Sequence, residues 1–153
     1  MIKTYSLFAL IILVTACTSN ESSKNEASEK IDVSEKSDPV IESSEGVFFV
    51  NLENGSTVSS PFLLEMGVAG MEVEPKGAPR EGFGHHHLLI NDDFAPEGTV
   101  IVADETHIHY GAGQISDSVS LEPGTYELTL QFADGMHVSY GEPWSKTIAI
   151  TVE

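Results

Sequence analysis

The chain has 153 residues, of which 41% are hydrophobic, and a formal net charge of −17 at pH 7. Residues 46–153 contain three basic and sixteen acidic side chains, a net charge of −13. A surface of that sign repels nucleic acid and anionic lipid headgroups, so we expect neither as a partner of this region. It attracts cations in a general way, although solubility alone accounts for most of the carboxylates.

The first predicted element is an apolar run at residues 7–14, preceded by a single early lysine. The run is far shorter than the roughly 20 residues that span a bilayer, so it predicts a secretory signal rather than a transmembrane helix. Residues 14–17 read V-T-A-C and resemble the lipobox of bacterial lipoproteins. That resemblance implies that residues 1–16 are removed and that Cys17 carries the lipid. An ordinary signal peptide with an incidental cysteine is the alternative.

Residues 17–45 form the next segment and are rich in Ser, Glu and Lys. They contain no aromatic residue and only isolated aliphatic ones, so we predict a disordered tether. Cys17 is the only cysteine, and its acylation would leave no thiol for a disulfide, a metal or catalysis. The expected location is the cell envelope, with the protein anchored to the membrane through Cys17 and the domain on the extracytoplasmic side. In a Gram-negative organism, that membrane would be the outer membrane.

Residues 46–153 are predicted to form one all-β domain. Apolar residues alternate with a period of two in three segments, at residues 61–70, 125–132 and 146–152. Shorter strands are predicted at residues 47–52, 85–90, 100–102 and 115–121, with turn sequences between them. This pattern predicts an immunoglobulin-like antiparallel β-sandwich. A Pro-Gly turn before Tyr126 is similar to the tyrosine corner of such domains, although a simple core tyrosine is the alternative.

The six histidines occupy three short segments, HHH at 85–87, HIH at 107–109 and GMHV at 135–138. Side chains alternate along a strand, so His86 is predicted to face the core with Leu88. His85 and His87 then point outward together. The same alternation is expected to send His107 and His109 outward, and to send His137 outward while Met136 and Val138 join the core.

Two histidines at i and i+2 on a strand lie about 6 to 7 Å apart at Cβ, close enough to share one ion. Imidazoles without thiolate suit Cu(II) or Zn(II), so the expected cofactor is copper or zinc. The predicted metal ligands are His85, His87, His107, His109 and His137. His86 is predicted to be structural, and Asp134 is a turn residue that could orient an imidazole. A histidine and carboxylate network that only stabilises loops is the alternative for the histidine pairs.

The segments GHHHLLIN, HIHYGAGQ, L-x-PG-x-Y and SKTIAITV together resemble domain-of-unknown-function family 4399. This family comprises small secreted bacterial domains, often lipoproteins. The resemblance implies no activity, but it places Gln114 in one motif set with Asp134 and the histidines. Members commonly carry another histidine after the ADG turn, where this chain has HVSYGEPWS. If that histidine is a ligand in other members, Tyr140 or a water must replace it here.

Three functions follow from these features. The first is a non-catalytic lipoprotein that binds copper or zinc, and it is the one that we predict. The second is a structural or interaction module for an envelope protein partner, with Tyr140 and Trp144 as possible binding aromatics. The third is a metalloenzyme, because GFGHHH resembles the G-F-x-H-x-H strand of copper–zinc superoxide dismutases. The chain lacks the disulfide cysteines and the substrate-guiding arginine of those enzymes, so no catalytic residue is predicted.

Overall fold

The computed structural model describes residues 45–153. The predicted signal peptide, the lipid site at Cys17 and the tether up to residue 44 lie outside the described residues. Within the described part the chain forms strands joined by turns and one short 3₁₀ helix, Glu142–Trp144. The strands are β1 Gly46–Phe49, β2 Ser56–Val58, β3 Phe62–Ala69, β4 Glu72–Val73, β5 Phe83–Ile90, β6 His107–His109, β7 Ser116–Val119, β8 Gly124–Ala133 and β9 Ser145–Val152. No helix in this part is long and apolar enough to cross a membrane.

The strands form two sheets whose apolar faces share one core, which confirms the predicted all-β sandwich. The smaller sheet has the order β1-β3-β7. The larger sheet has the order β2-β9-β8-β5-β4, and β6 pairs with the same edge of β5 as β4. The pairing is antiparallel except at two places, where β2 runs parallel to β9 and β4 runs parallel to β5. Both parallel strands are edge strands of two or three residues, and each is joined to its neighbour by a connection much longer than a hairpin turn.

The period-two pattern of β3 and β8 determines which of their side chains enter the core. Leu64 and Met66 of β3 are buried, while Leu63 between Phe62 and Leu64 is 54% exposed. On β8, Leu128, Leu130 and Phe132 contribute to the same core from the other sheet. Burying aliphatic side chains of this size stabilises the fold by roughly 1.5–3 kcal/mol each, so this alternation sets which face of each sheet turns inward.

Tyr126 forms the predicted tyrosine corner. Its hydroxyl donates a hydrogen bond of 2.9 Å to the backbone oxygen of Glu122, four residues earlier in the chain. The bond closes the turn that leads into β8, as in immunoglobulin-like domains.

Two local predictions are wrong, one at residues 100–102 and one at Met136. Residues 100–102 form no ladder, and only an isolated bridge joins Val100 to Val138. Met136 was expected in the core but is 60% exposed. Residues 134–138 form a tight turn in which His137 has φ of 70°, so strand alternation does not apply there. The short strands β2 and β4 were not predicted.

Candidate metal centre

The run of three histidines lies on strand β5, and its side chains point to two different faces of the larger sheet. His86 faces the core with Leu88, as predicted, and its ring packs edge-on against Phe132 at a centroid distance of 5.1 Å. His85 and His87 lie on the opposite face, also as predicted from alternation. They are nevertheless fully buried, because loops cover this face of the larger sheet. The expectation that the pair is solvent-facing is therefore wrong.

Gln131, the strand neighbour of His87 on β8, anchors those covering loops. Its side-chain oxygen accepts a hydrogen bond from the N–H of Ala95 at 3.1 Å. Its amide donates to the backbone oxygens of Gly141 and Trp144 at 3.0 and 3.1 Å. Gln131 was not singled out from the sequence, because an amide on an alternating strand reads as solvent-facing until the covering loops are known.

The pairing of β6 with β5 decides which residue of HIH joins the site. His109 lies directly opposite His87, whereas His107 lies opposite Leu89. Residues opposite each other in an antiparallel pair have Cβ atoms roughly 4.5–5.5 Å apart, so the imidazoles of His87 and His109 meet. Their ring centroids are 5.0 Å apart and the rings are stacked. His107 lies two residues before His109 on β6 and does not reach these two rings.

A turn after β8 supplies the fourth imidazole. Asp134 shapes the turn, since its Oδ1 accepts hydrogen bonds from the N–H groups of Met136 and Val138 at 2.8 and 2.9 Å. His137 occupies the left-handed backbone region at φ 70°, a conformation that is uncommon for residues other than glycine. The turn brings the His137 ring to centroid distances of 5.2 Å from His85 and 4.5 Å from His109.

Four imidazoles therefore lie close to one another, and we call them the four-histidine cluster: His85, His87, His109 and His137. All six centroid distances between these rings fall between 4.5 and 5.9 Å. The Nε2 atom of His85 lies 3.2 Å from that of His87 and 3.1 Å from that of His109. Ligand nitrogens of His85, His109 and His137 all lie within 4.8 Å of one another, a grouping that could hold a metal ion.

These separations match the spacing of nitrogens around one small ion. With metal–nitrogen bonds of about 2.0–2.1 Å, the edge of a coordination tetrahedron is roughly 3.3 Å. The two Nε2–Nε2 distances of 3.1 and 3.2 Å are close to that value. Several ring nitrogens of the cluster lack a hydrogen-bond partner within residues 45–153. The Nδ1 atoms of His85 and His87 and the Nε2 atom of His137 are buried without a partner among the described residues.

The electrostatics favour the neutral form that binds metals. Burial, which is the largest cause, and the charges of neighbouring histidines together lower the pKa of His85 to about 4 and the pKa of His87 to about 3. Burial, with His137 and Lys76 nearby, also lowers the pKa of His109. At neutral pH these rings are therefore uncharged and keep a lone pair for an ion. No proton has to be displaced from an imidazolium when a metal binds.

The remaining polar residues of the motif set have other roles in the structure. His107 contacts carboxylates through both ring nitrogens, with Asp104 at 2.9 Å from Nδ1 and Asp92 at 3.2 Å from Nε2. It thus takes the loop-stabilising role that was the alternative for the whole set. Gln114 accepts a hydrogen bond from the N–H of Ala112 in an exposed turn. The Tyr140 hydroxyl, one of the two groups expected to replace the additional histidine of other family members, donates instead to the backbone oxygen of Phe83 at 2.8 Å.

Sequence reasoning also missed the packing role of Gly111. A Cβ atom built on Gly111 would lie 2.1 Å from two atoms of the His109 ring, a distance at which the ring must move. Glycine at this position therefore leaves room for the imidazole in its cluster position. The sequence HIHYG held a signal for this role, because a glycine that follows a ligand pair indicates a close approach of side chain to backbone.

The fold and the site together define a small all-β sandwich domain whose covered sheet face holds a histidine cluster that could bind a metal. The family model "Domain of unknown function (DUF4399)" matches residues 64–153, more than half of the chain. The chain belongs to this family, which confirms the resemblance seen in its histidine segments. No curated protein and no solved structure matches the chain.

Proposed function

We propose that the domain binds copper or zinc through His85, His87, His109 and His137, without catalysis, in a lipoprotein of the cell envelope. One observation carries the proposal, namely the approach of the neutral imidazole nitrogens of His85, His87 and His109 to separations of 3.1 and 3.2 Å. Ligation by imidazole alone suits Cu(II) and Zn(II), and the ligand set contains no thiolate. His107 is left out of the proposed ligand set because its ring nitrogens meet Asp92 and Asp104.

The proposed location depends on the sequence before residue 45. A lipid on Cys17 would hold the domain at the membrane, in the outer membrane of a Gram-negative cell, and the tether would let it reach a partner in the envelope. Metal storage, delivery or protection would suit such a position. Labelling of the full chain with a radioactive fatty acid, compared with a Cys17→Ser variant, tests the anchor. Equal labelling of the two chains would refute lipidation at Cys17.

Titration calorimetry of the full chain with Cu(II) and with Zn(II) tests the metal site. A Cys17→Ser background removes the one thiol that could bind metal elsewhere. We expect one ion per chain. His85→Ala or His109→Ala should weaken binding by more than the roughly 10- to 100-fold that losing an outer-shell partner costs.

Two histidine variants serve as matched controls for that titration. His107→Ala and His86→Leu each remove an imidazole from the same two strands but leave the four-histidine cluster complete. Both should bind metal as the unaltered chain does. Uptake that is absent, or that falls equally in all four variants, would contradict the proposal.

A purely structural role is the second candidate, and one observation favours it. Separations of 3.1 and 3.2 Å also fall within the range of N–H···N hydrogen bonds, so the rings could bond to one another. Tyr140 and Trp144 fit this candidate, because they pack against Phe132 at centroid distances of 6.3 and 6.2 Å rather than standing free as binding aromatics. A structural role predicts no metal uptake and a loss of stability in every cluster variant.

A further inference from the structure

The four-histidine cluster opens to solvent on one side. A pocket with a volume of about 290 Å³ is lined by Lys76, His109, His137 and the segment from Val100 to Ala103. His85 and His87 are fully buried, whereas His109 and His137 are partly exposed in the pocket wall. A ligand from solvent that reached a metal in the cluster through this pocket would therefore approach between His109 and His137.

Lys76 is held at this pocket by the same chain segments that carry the two histidines. Its backbone N–H donates to the oxygen of Gly111, two residues after His109, at 2.9 Å. The next N–H, that of Gly77, donates to the oxygen of Gly135, two residues before His137, at 2.9 Å. Gly135 permits this approach, since a Cβ atom there would lie 2.6 Å from the oxygen of Gly77. The position of Lys76 is thus tied to that of the cluster.

No ion pair with Lys76 is formed by the described residues 45–153. Among residues 45–153 the salt bridges involve Arg80 with Glu74, and His107 with Asp92 and Asp104, but not Lys76. Arg80, by contrast, is paired at 2.8 Å and also stacks over Phe83. Residues 46–153 contain only three basic residues in total. Lys76 therefore places an uncommon positive charge in the wall of a histidine-lined pocket, in a domain whose charged residues are mostly acidic.

A divalent ion held by neutral imidazoles keeps both of its positive charges. The charge of Asp134 acts on His85, and the Oδ1 atom of Asp134 already accepts two backbone hydrogen bonds in the turn. Lys76 would add a further positive charge at the pocket mouth. An anion that enters the pocket would therefore meet two sources of positive potential, in a partly apolar cleft that screens them less than open water does.

On the basis of the proposed metal site, we propose that the bound ion keeps one exchangeable position toward this pocket, where it takes a small anion that the Lys76 ammonium group stabilises. The chemical class is a compact monoanion such as azide or a short carboxylate. His109 and His137 flank the position, and Lys76 supplies the second contact. The pocket then serves as the entry to the metal rather than as a separate site.

Azide titration of the Cu(II)-loaded full chain tests this inference, again in the Cys17→Ser background. Azide that binds Cu(II) produces a new charge-transfer absorption band and changes the electron paramagnetic resonance spectrum. We expect both changes in the unaltered cluster. Lys76→Met should weaken azide binding about tenfold while leaving Cu(II) affinity nearly unchanged. Lys146→Met, which removes an equal charge from β9, should have no such effect.

The outcomes separate this inference from the proposed function. If the chain binds no Cu(II), the proposed function fails and the anion position fails with it. If Cu(II) binds but azide produces neither spectral change, the metal site stands and the open position is refuted. If azide binds equally well to the unaltered chain and to Lys76→Met, the position is open but the role of Lys76 is refuted.

Discussion

At the scale of single residues, the run of three histidines on β5 divides into two environments. His86 packs among apolar side chains, with both ring nitrogens buried and without a partner among the described residues. His85 and His87 lie on the other face and share their surroundings with His109 and His137. Neighbours in sequence therefore have different roles because a strand sends successive side chains to opposite faces. The relevant set of imidazoles comes from three elements.

Gly111→Ala is expected to weaken metal binding without removing a ligand. The new methyl group would collide with the His109 ring, two of whose atoms would lie 2.1 Å from it, so the ring must leave its place opposite His87. Titration calorimetry should show a loss of affinity of about tenfold or more, comparable to losing an outer-shell partner. Gly124→Ala is the control, since its Cβ would make only ordinary contacts, 3.5 Å or longer, at the far end of β8. Unchanged affinity in Gly111→Ala would show that the His109 ring is not a ligand in this position.

At the scale of elements, strand register and one turn select the members of the cluster. The pairing of β5 with β6 sets His109 against His87 and leaves His107 beside Leu89. A shift of this pairing by one residue would send the β6 histidines to the other face of the sheet, away from His87. The turn at residues 134–138 replaces the predicted strand and points the His137 ring at the cluster. Register and turn conformation therefore matter as much as the presence of histidine.

Asp134 is expected to hold His137 in position through that turn. Asp134→Ala removes the acceptor of two backbone N–H groups, one exposed and one partly buried, which should cost about 1 kcal/mol of stability. It should also lower metal affinity, because His137 must keep its uncommon backbone conformation to reach the cluster. Asp134→Asn keeps an oxygen at the same place and should restore most of both properties. Denaturant unfolding and metal titration measure the two effects, and a stability loss without any affinity loss would remove His137 from the ligand set.

At the scale of the whole molecule, the loops over the larger sheet convert an exposed histidine face into a buried one. Gln131 holds residues 95, 141 and 144 over that face through its side-chain hydrogen bonds. Burial under these loops lowers the pKa values of His85 and His87 and keeps both imidazoles neutral at physiological pH. The loops that cover the larger sheet thus link the stability of the domain to the protonation of its histidines.

The stability of the metal-free protein is expected to fall as pH decreases below 6.5. The unfolded chain takes up protons near the ordinary histidine pKa of about 6.5, whereas folded His86 does so only near its lowered pKa of about 4. This contribution is complete above pH 6.5 and is lost as pH falls toward 4, on the order of 3 kcal/mol for His86 alone. His85 and His87 act in the same direction.

Urea unfolding across that range measures this pH effect. The His86→Leu variant should show a smaller dependence on pH than the unaltered chain, because it lacks one of the buried groups that must remain neutral. Its free energy of unfolding at pH 7 should change by no more than about 1 kcal/mol, since the lost polar group had no hydrogen-bond partner. A stability that does not vary between pH 7 and pH 4 would contradict the buried, neutral state of these imidazoles.

Much of this protein follows from the sequence alone, because local patterns carry the information. Alternation on the strands that include Leu64 and Leu128 predicts the sandwich and its inner faces, and the Pro-Gly turn before Tyr126 predicts the corner. The same alternation separates His86 from His85 and His87. The family resemblance, with its histidine segments, is also readable without a structure and is confirmed.

The remaining features of the site depend on contacts between residues far apart in the chain, so only the tertiary structure decided them. Register between β5 and β6 brought His109 into the cluster and left His107 with Asp92 and Asp104. Loops, which follow no periodic sequence pattern, cover His85 and His87, the pair that was expected to be exposed. Loops also place Lys76 beside the four-histidine cluster. A strand pattern states which face a side chain takes, but what covers that face, and which partner stands across from it, is set only when the whole chain folds.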